Sequence, residues 1–398
     1  MHRISYHTAE QIRKNLWFLV VILTLCCSTV FAAYSNSAST TEQDSITALS
    51  GKVWAFSQDH PNGFTIDIHT MTEPTQGIAV SYAETQGSHS HDQLDKVVRH
   101  ALRHNGYVGG WLNTKNGLYY FDSTKLFPET SLKEAIQFGK ENGQHSVFIL
   151  STYSDIPIDG KVAEIVQRGT LLVGTTGDYC PLSFREADGS YWGFGIEMAQ
   201  EIASYLGVET EFVQTSWPTL TADVLEEPQL FDIAIGGITI TDTRKETMLM
   251  SEGYLTNGKT ILCRSSESER FRSLEDLDKP EVRVMVNPGG LNEKFANENL
   301  THASIIIHQK NEEIPSLVAE GEADVMITEI TEAPYYVQTD ARLAAPLLND
   351  PFTHGEIGAL MQKDQKDLLQ MVNNKIQQMK ADGTLRRMHE KYGLIYAY

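Results

Sequence analysis

The chain has 398 residues, 41% of them apolar, and a formal charge of −20. That length admits two or three domains at ~100–200 residues each, and the apolar share builds a substantial core and excludes wholesale disorder. The charge argues against nucleic acid or an anionic membrane surface as partner, while a local basic pocket still accommodates an anionic small molecule.

The first 32 residues read as an export signal. Arg13 and Lys14 precede the apolar run LWFLVVILTLCC, and small residues follow at VFA-AY. The mature chain is therefore expected to begin near Ala33 and to be periplasmic or otherwise secreted. A retained N-terminal anchor is the alternative, although the run is short for a membrane span. Leu25, too bulky for the position before a lipidated cysteine, argues against a lipoprotein reading of Cys26. Only Cys180 and Cys263 then remain, enough for one intrachain disulfide but no proof of it.

Residues 33–49 are small and polar and read as a linker. Residues 50–152 read as a small accessory α/β domain. GFTIDIHT and GIAVSYAE have strand character, and DQLDKVVRHALRHNG predicts a helix with Leu94, Val97, Val98, Ala101 and Leu102 on one face. YVGGWLN and LYYFDST, joined by TKNG, predict a hairpin, and SLKEAIQFGKENG opens with the Ser131/Glu134 capping pattern. His100 and His104 share the i,i+4 spacing of a metal pair, but no cysteine or matched carboxylate completes a set, so they read as solvated and no metal site is expected.

From residue 160 the pattern changes. KVAEIVQRGTLLVGTTGDY is a helix, a glycine stop, a buried strand and a polar loop; GFGIEMAQEIASYLG, ETEFVQT and FDIAIGGITIT continue the alternation. Strands alternating with helices predict an α/β fold with mainly parallel sheet, whose ligands sit beyond the carboxyl ends of the strands. Arg244 follows such an end, where its fork suits a carboxylate, and Thr239 and Thr241 of the same loop add hydroxyls. Trp217 offers a flat apolar wall. Asn287, Gly290 and Asn292 form a bend before the helix NEKFANENL, whose N-terminus favours an anion. The run MITEITEAPYY ends a strand with two acids, Glu329 and Glu332.

The order TGDY, SWPTL, GGITITDTRKE, NGKT, NPGG-NEKFA and ITEITEA resembles the type 2 periplasmic solute-binding fold, two lobes hinged around a cleft. Within it the chain is most similar to the cyclohexadienyl dehydratases, exported prephenate/arogenate dehydratases. The resemblance covers residues 160–398, with one lobe near 160–264 and 354–398 and the other near 268–350. It implies loss of water and CO2 from prephenate, giving phenylpyruvate, or from arogenate, giving phenylalanine. Aromatisation drives that reaction, so it implies no cofactor.

Under this reading Glu332 is the general acid, its pKa raised by a neighbouring carboxylate and an apolar ring. Lys259 is its electrostatic partner, and Asp178 and Tyr179 line the first loop. Glu329 is the group that would hold arogenate's ammonium. Leu291 stands where threonine is usual, Cys180 where lysine is common, and Gly195 where an acid is. A plain receptor for an amino acid or aromatic acid, serving an ABC transporter or a sensor, is the alternative. A third reading gives the function to the 50–152 domain as an interaction module. The oligomeric state is not encoded in any of these motifs.

Overall fold

The computed structural model describes residues 42–398, so the expected export signal and residues 33–41 of the expected linker lie outside the described residues. Residues 42–59 form a helix, which corrects the linker reading for 42–49. Ile46 and Val53, two turns apart, supply its buried stripe, and the serines and threonines around them hid it in the composition. The chain divides into two compact units. One reaches Leu126 and includes Asn142–Gln144; the other comprises Phe127–Glu141 and His145–Tyr398.

In the smaller unit, Phe64–Asp67, Tyr107–Asn113 and Leu118–Phe127 pair antiparallel in that order. The helix His91–Arg103 buries Leu94, Val97, Val98 and Ala101 against Phe64, Ile66, Val108 and Phe121. Leu102, expected on that face, sits at the edge of the stripe and is 37% exposed. His100 and His104 stack with centroids 4.0 Å apart; His100 is partly buried, its Nδ1 2.9 Å from Ser123 Oγ, while His104 is exposed as expected. Among the described residues no group of three or more His, Cys, Asp or Glu is arranged to hold a metal.

Most of 127–152 belongs with the larger unit, not with the accessory domain as expected. Its helix Leu132–Glu141 packs on the helix Lys161–Arg168. The hairpin Ser146–Ile149/Ser154–Pro157 is fixed by Ser154, whose hydroxyl accepts from Gln370 at 3.1 Å and Asn374 at 2.7 Å.

The larger unit holds two five-stranded sheets, one per lobe. The first runs Glu209–Gln214, Thr170–Thr175, Ile233–Ala234, Leu360–Met361, Leu249–Met250. The second runs Ser304–Ile307, Arg283–Val286, Val325–Glu329, Lys259–Arg264, Leu343–Ala344. In each, four strands run one way and one, Leu360–Met361 or Lys259–Arg264, runs against them, so the sheets are mixed rather than mainly parallel, with two parallel and two antiparallel pairings. The cause is the crossing between lobes. Leu255–Asn257 pairs antiparallel with Gly355–Ile357, and one residue later the chain enters the second sheet antiparallel to Val325–Glu329. Lys259–Arg264, expected in the first lobe, therefore belongs to the second. Cys180 and Cys263 are both buried and free.

Candidate active site

The strand ends of the two lobes meet around a narrow cavity. From the first lobe comes Tyr179, 2% exposed, in the loop after Thr170–Thr175. Its ring lies where a Cβ at Gly237 would sit, 2.3 Å away, and Gly237 also holds φ at +97°, so a side chain there is excluded twice. Trp217, past Glu209–Gln214, meets Tyr179 edge-on with centroids 5.6 Å apart. Its indole N–H donates to Asp178 Oδ1 at 3.0 Å. Asp178 thus orients the tryptophan wall and does not itself line the cavity.

Thr239 and Arg244 line the cavity. Thr241 instead caps the helix Asp242–Thr247, its hydroxyl accepting from Arg244 N–H at 3.3 Å. Arg244 Nη1 donates to Thr239 O at 2.6 Å, and burial pulls the guanidinium pKa below its usual value against the opposing charge of Glu329.

The second lobe contributes an ion pair set by sheet register. Lys259 opens one strand, Glu329 closes its neighbour, and the two are directly opposite. Lys259 Nζ donates to Glu329 Oε1 at 2.6 Å and to Asn292 Oδ1 at 2.5 Å. Glu329 also accepts from Tyr179 OH, and from Thr239 Oγ1 at 3.4 Å. Burial pushes the Glu329 carboxyl up, but the charge and hydrogen bond of Lys259 outweigh it and hold the group below its ordinary value. These donors share the carboxylate that was expected to hold arogenate's ammonium, and Glu329 still lines the cavity.

Gly290 caps the helix Leu291–Asn299, so Asn287, Gly290, Leu291 and Asn292 bring a helix N-terminus to the cavity. A Cβ on Gly289, at φ +74°, would lie 2.6 Å from Pro218 Cα, so only glycine lets this bend close against the first lobe.

Glu332 is placed differently from the expectation. Residues 330–331 leave the strand in a turn, with Glu332 N–H donating to Glu329 O at 3.0 Å, and Glu332 caps the helix Ala333–Thr339. Its carboxyl does not line the cavity and is 0% exposed. It lies behind Asn311, accepting from Asn311 Nδ2 at 2.7 Å and from Thr328 Oγ1 at 2.5 Å. Burial, with the charges of Glu329 and Asp178, pushes its pKa up to about 8 despite those two hydrogen bonds. Glu332 is therefore a neutral acid near pH 7.

The cavity brings together nine of the expected residues and leaves Asp178 and Glu332 behind its wall, while Thr241 lines an adjoining hollow with Thr239, Lys259 and Glu329. Asn311 and Gly237 were not expected in it. Asn311 stands four residues past Ser304–Ile307, so the strand-end rule applied to ASIIIHQKN points to it. Packing accounts for one departure: a Cβ at Gly195 would lie 3.0 Å from both Gly236 Cα and Leu182 O, leaving no room for an acid. Cys180 packs with Met285, Met326 and Tyr336. The assembled groups suit a compact ligand with carboxylates and a flat apolar ring.

Residues 171–395 match the family of bacterial extracellular solute-binding proteins, family 3. The chain is 40% identical over 207 residues to cyclohexadienyl dehydratase of Pseudomonas aeruginosa, covering 52% of this chain and 76% of that one. It is 29% identical over 235 residues to the L-cystine-binding protein TcyJ of Escherichia coli, covering 59% and 86%. Among solved structures, an ancestral amino acid-binding protein described as a precursor of cyclohexadienyl dehydratase is 39% identical. It superposes with a TM-score of 0.54 over 58% of this chain and 99% of that one. The two-lobed type 2 architecture and the family match agree: this chain belongs to family 3 of the bacterial extracellular solute-binding proteins.

Proposed function

We propose that the protein is a cyclohexadienyl dehydratase acting outside the cytoplasm after removal of residues 1–32, in the route to phenylalanine. It converts prephenate to phenylpyruvate and arogenate to phenylalanine. Arg244 and the start of the helix Leu291–Asn299 hold the carboxylates, and Trp217 is the wall for the ring. Lys259 donates a hydrogen bond to the ring hydroxyl. Glu332 exchanges Thr328 and Asn311 for that hydroxyl by side-chain rotation and supplies its proton. The C–O bond breaks with its electron pair leaving on water, the pair of the C–C bond to the ring carboxylate enters the ring, and CO2 departs.

The observation that carries this reading is the second glutamate, wholly buried one side chain behind the cavity beside the Lys259–Glu329 pair, where burial and neighbouring charge favour its protonated form. A receptor holds its ligand with ionised groups and has no use for a carboxyl kept protonated. The likeness to a cyclohexadienyl dehydratase at 40% identity supports the same reading. Amino acid-binding relatives keep the receptor alternative in view, with a transporter as its partner. Glu332→Gln tests the proposal: it keeps the shape and cannot deliver a proton. Substrate binding should persist while turnover falls by ~10²–10⁴-fold. A glutamine variant as active as the wild type removes Glu332 from the mechanism.

A further inference from the structure

Resting on that dehydratase reading, we infer that Asn287 and Asn311 make this site selective for the amine-bearing substrate over its keto counterpart. The two cyclohexadienyl acids share both carboxylates and the ring hydroxyl. They differ at one carbon, which carries an ammonium in arogenate and a ketone in prephenate.

Asn311 is 1% exposed, and both hydrogens of its amide nitrogen are spent, on Asp178 O at 3.1 Å and Glu332 Oε1 at 2.7 Å. The Asp178 carbonyl, which can only accept, fixes the amide orientation, because a flipped amide would face it with oxygen. Asn311 Oδ1 is left buried without a partner, in a residue that lines the cavity. Asn287, 5% exposed and also lining the cavity, has a second buried Oδ1 without a partner. Buried acceptors are normally satisfied, so two such oxygens at one cavity ask for two donors from the ligand. The keto acid brings one, its hydroxyl. The amino acid brings the hydroxyl and an ammonium. Asn311 adjoins Glu332, so its oxygen takes the hydroxyl, and Asn287 takes the ammonium.

The charge balance points the same way. Arg244 and Lys259 bring two positive charges to the cavity wall and Glu329 one negative, a net of +1. The amino acid carries −1 and the keto acid −2. Glu329 is already neutralised by its ion pair with Lys259 and accepts from Tyr179, so it attracts the ammonium less than an unpaired acceptor does.

The test is the ratio of kcat/KM for arogenate to that for prephenate, with dissociation constants for both measured by calorimetry. The wild type should favour arogenate by about ten-fold or more, the scale set by one buried acceptor left unpaired. Asn287→Leu should bring the ratio close to one. Asn287→Asp, which keeps an acceptor and adds charge, should hold or raise it. A wild-type ratio at or below one, or a ratio unchanged in Asn287→Leu, overturns the inference. If neither compound turns over, the dehydratase reading fails on its own, and the ratio of the two dissociation constants still decides the inference.

Discussion

Keeping a glutamate neutral inside the protein has a cost that grows with pH, and Glu332→Gln removes it. The carboxyl pKa goes from an ordinary 4.5 to about 8 on folding. Below pH 4.5 both states carry the proton and the residue is neutral to stability. Between 4.5 and 8 the unfolded chain ionises while the native state holds its proton, so native stability falls by about 1.4 kcal/mol per pH unit. Above 8 the loss levels off at roughly 5 kcal/mol, an upper bound because relaxation around the charge lowers it. The glutamine variant does not titrate here. Its stability relative to wild type should therefore rise by roughly 3–4 kcal/mol from pH 5 to pH 8. Asp178 and Asp232, also raised by burial, are common to both proteins and largely cancel in the difference. Urea unfolding of both proteins across that range measures it. Parallel stability curves would show that Glu332 ionises normally and would refute the account of its burial. The predicted outcome is a variant that is more stable and nearly inactive, the trade expected of a catalytic group in a strained setting.

Replacing Arg244 with lysine keeps charge but loses the fork, and substrate affinity should weaken by roughly 1.5–3 kcal/mol; an unchanged titration isotherm would remove Arg244 from the site. The packing of 127–157 on the larger unit predicts that a fragment beginning at residue 127 melts at a higher temperature than one beginning at 160. Equal melting temperatures would show that Ser154 and its partners Gln370 and Asn374 contribute nothing.

Much of the cleft was legible because strand ends are legible. Apolar runs closing on polar residues located Arg244 and Glu329, the family resemblance added Tyr179 and Lys259, and the structure brings all four to one cavity. The three expected residues that fall outside the cavity share a cause: spacing gives distance along the chain but not the direction in which a loop turns. Thr241 is taken by a helix start, Asp178 by an indole, and Glu332 by a turn at 330–331 that points it under Asn311. Asn311 was missed because a lone asparagine in HQKNEEI has the look of any surface loop. Its importance arises from the two acceptors that reach it from distant parts of the chain. The helix at 42–59 was hidden for a similar reason, since its burial depends on residues such as Leu94 and Val97 supplied later in the chain.

The account stands most directly on whether the bound ring loses its carboxyl group. The mature protein should be incubated near neutrality with arogenate or prephenate labelled with carbon-13 at the ring carboxylate, beside a control without protein. The account predicts labelled CO2 released in step with phenylalanine or phenylpyruvate, at a rate that declines as pH rises through about 8. Tight binding of both compounds with no CO2 above the control would contradict it and establish a receptor.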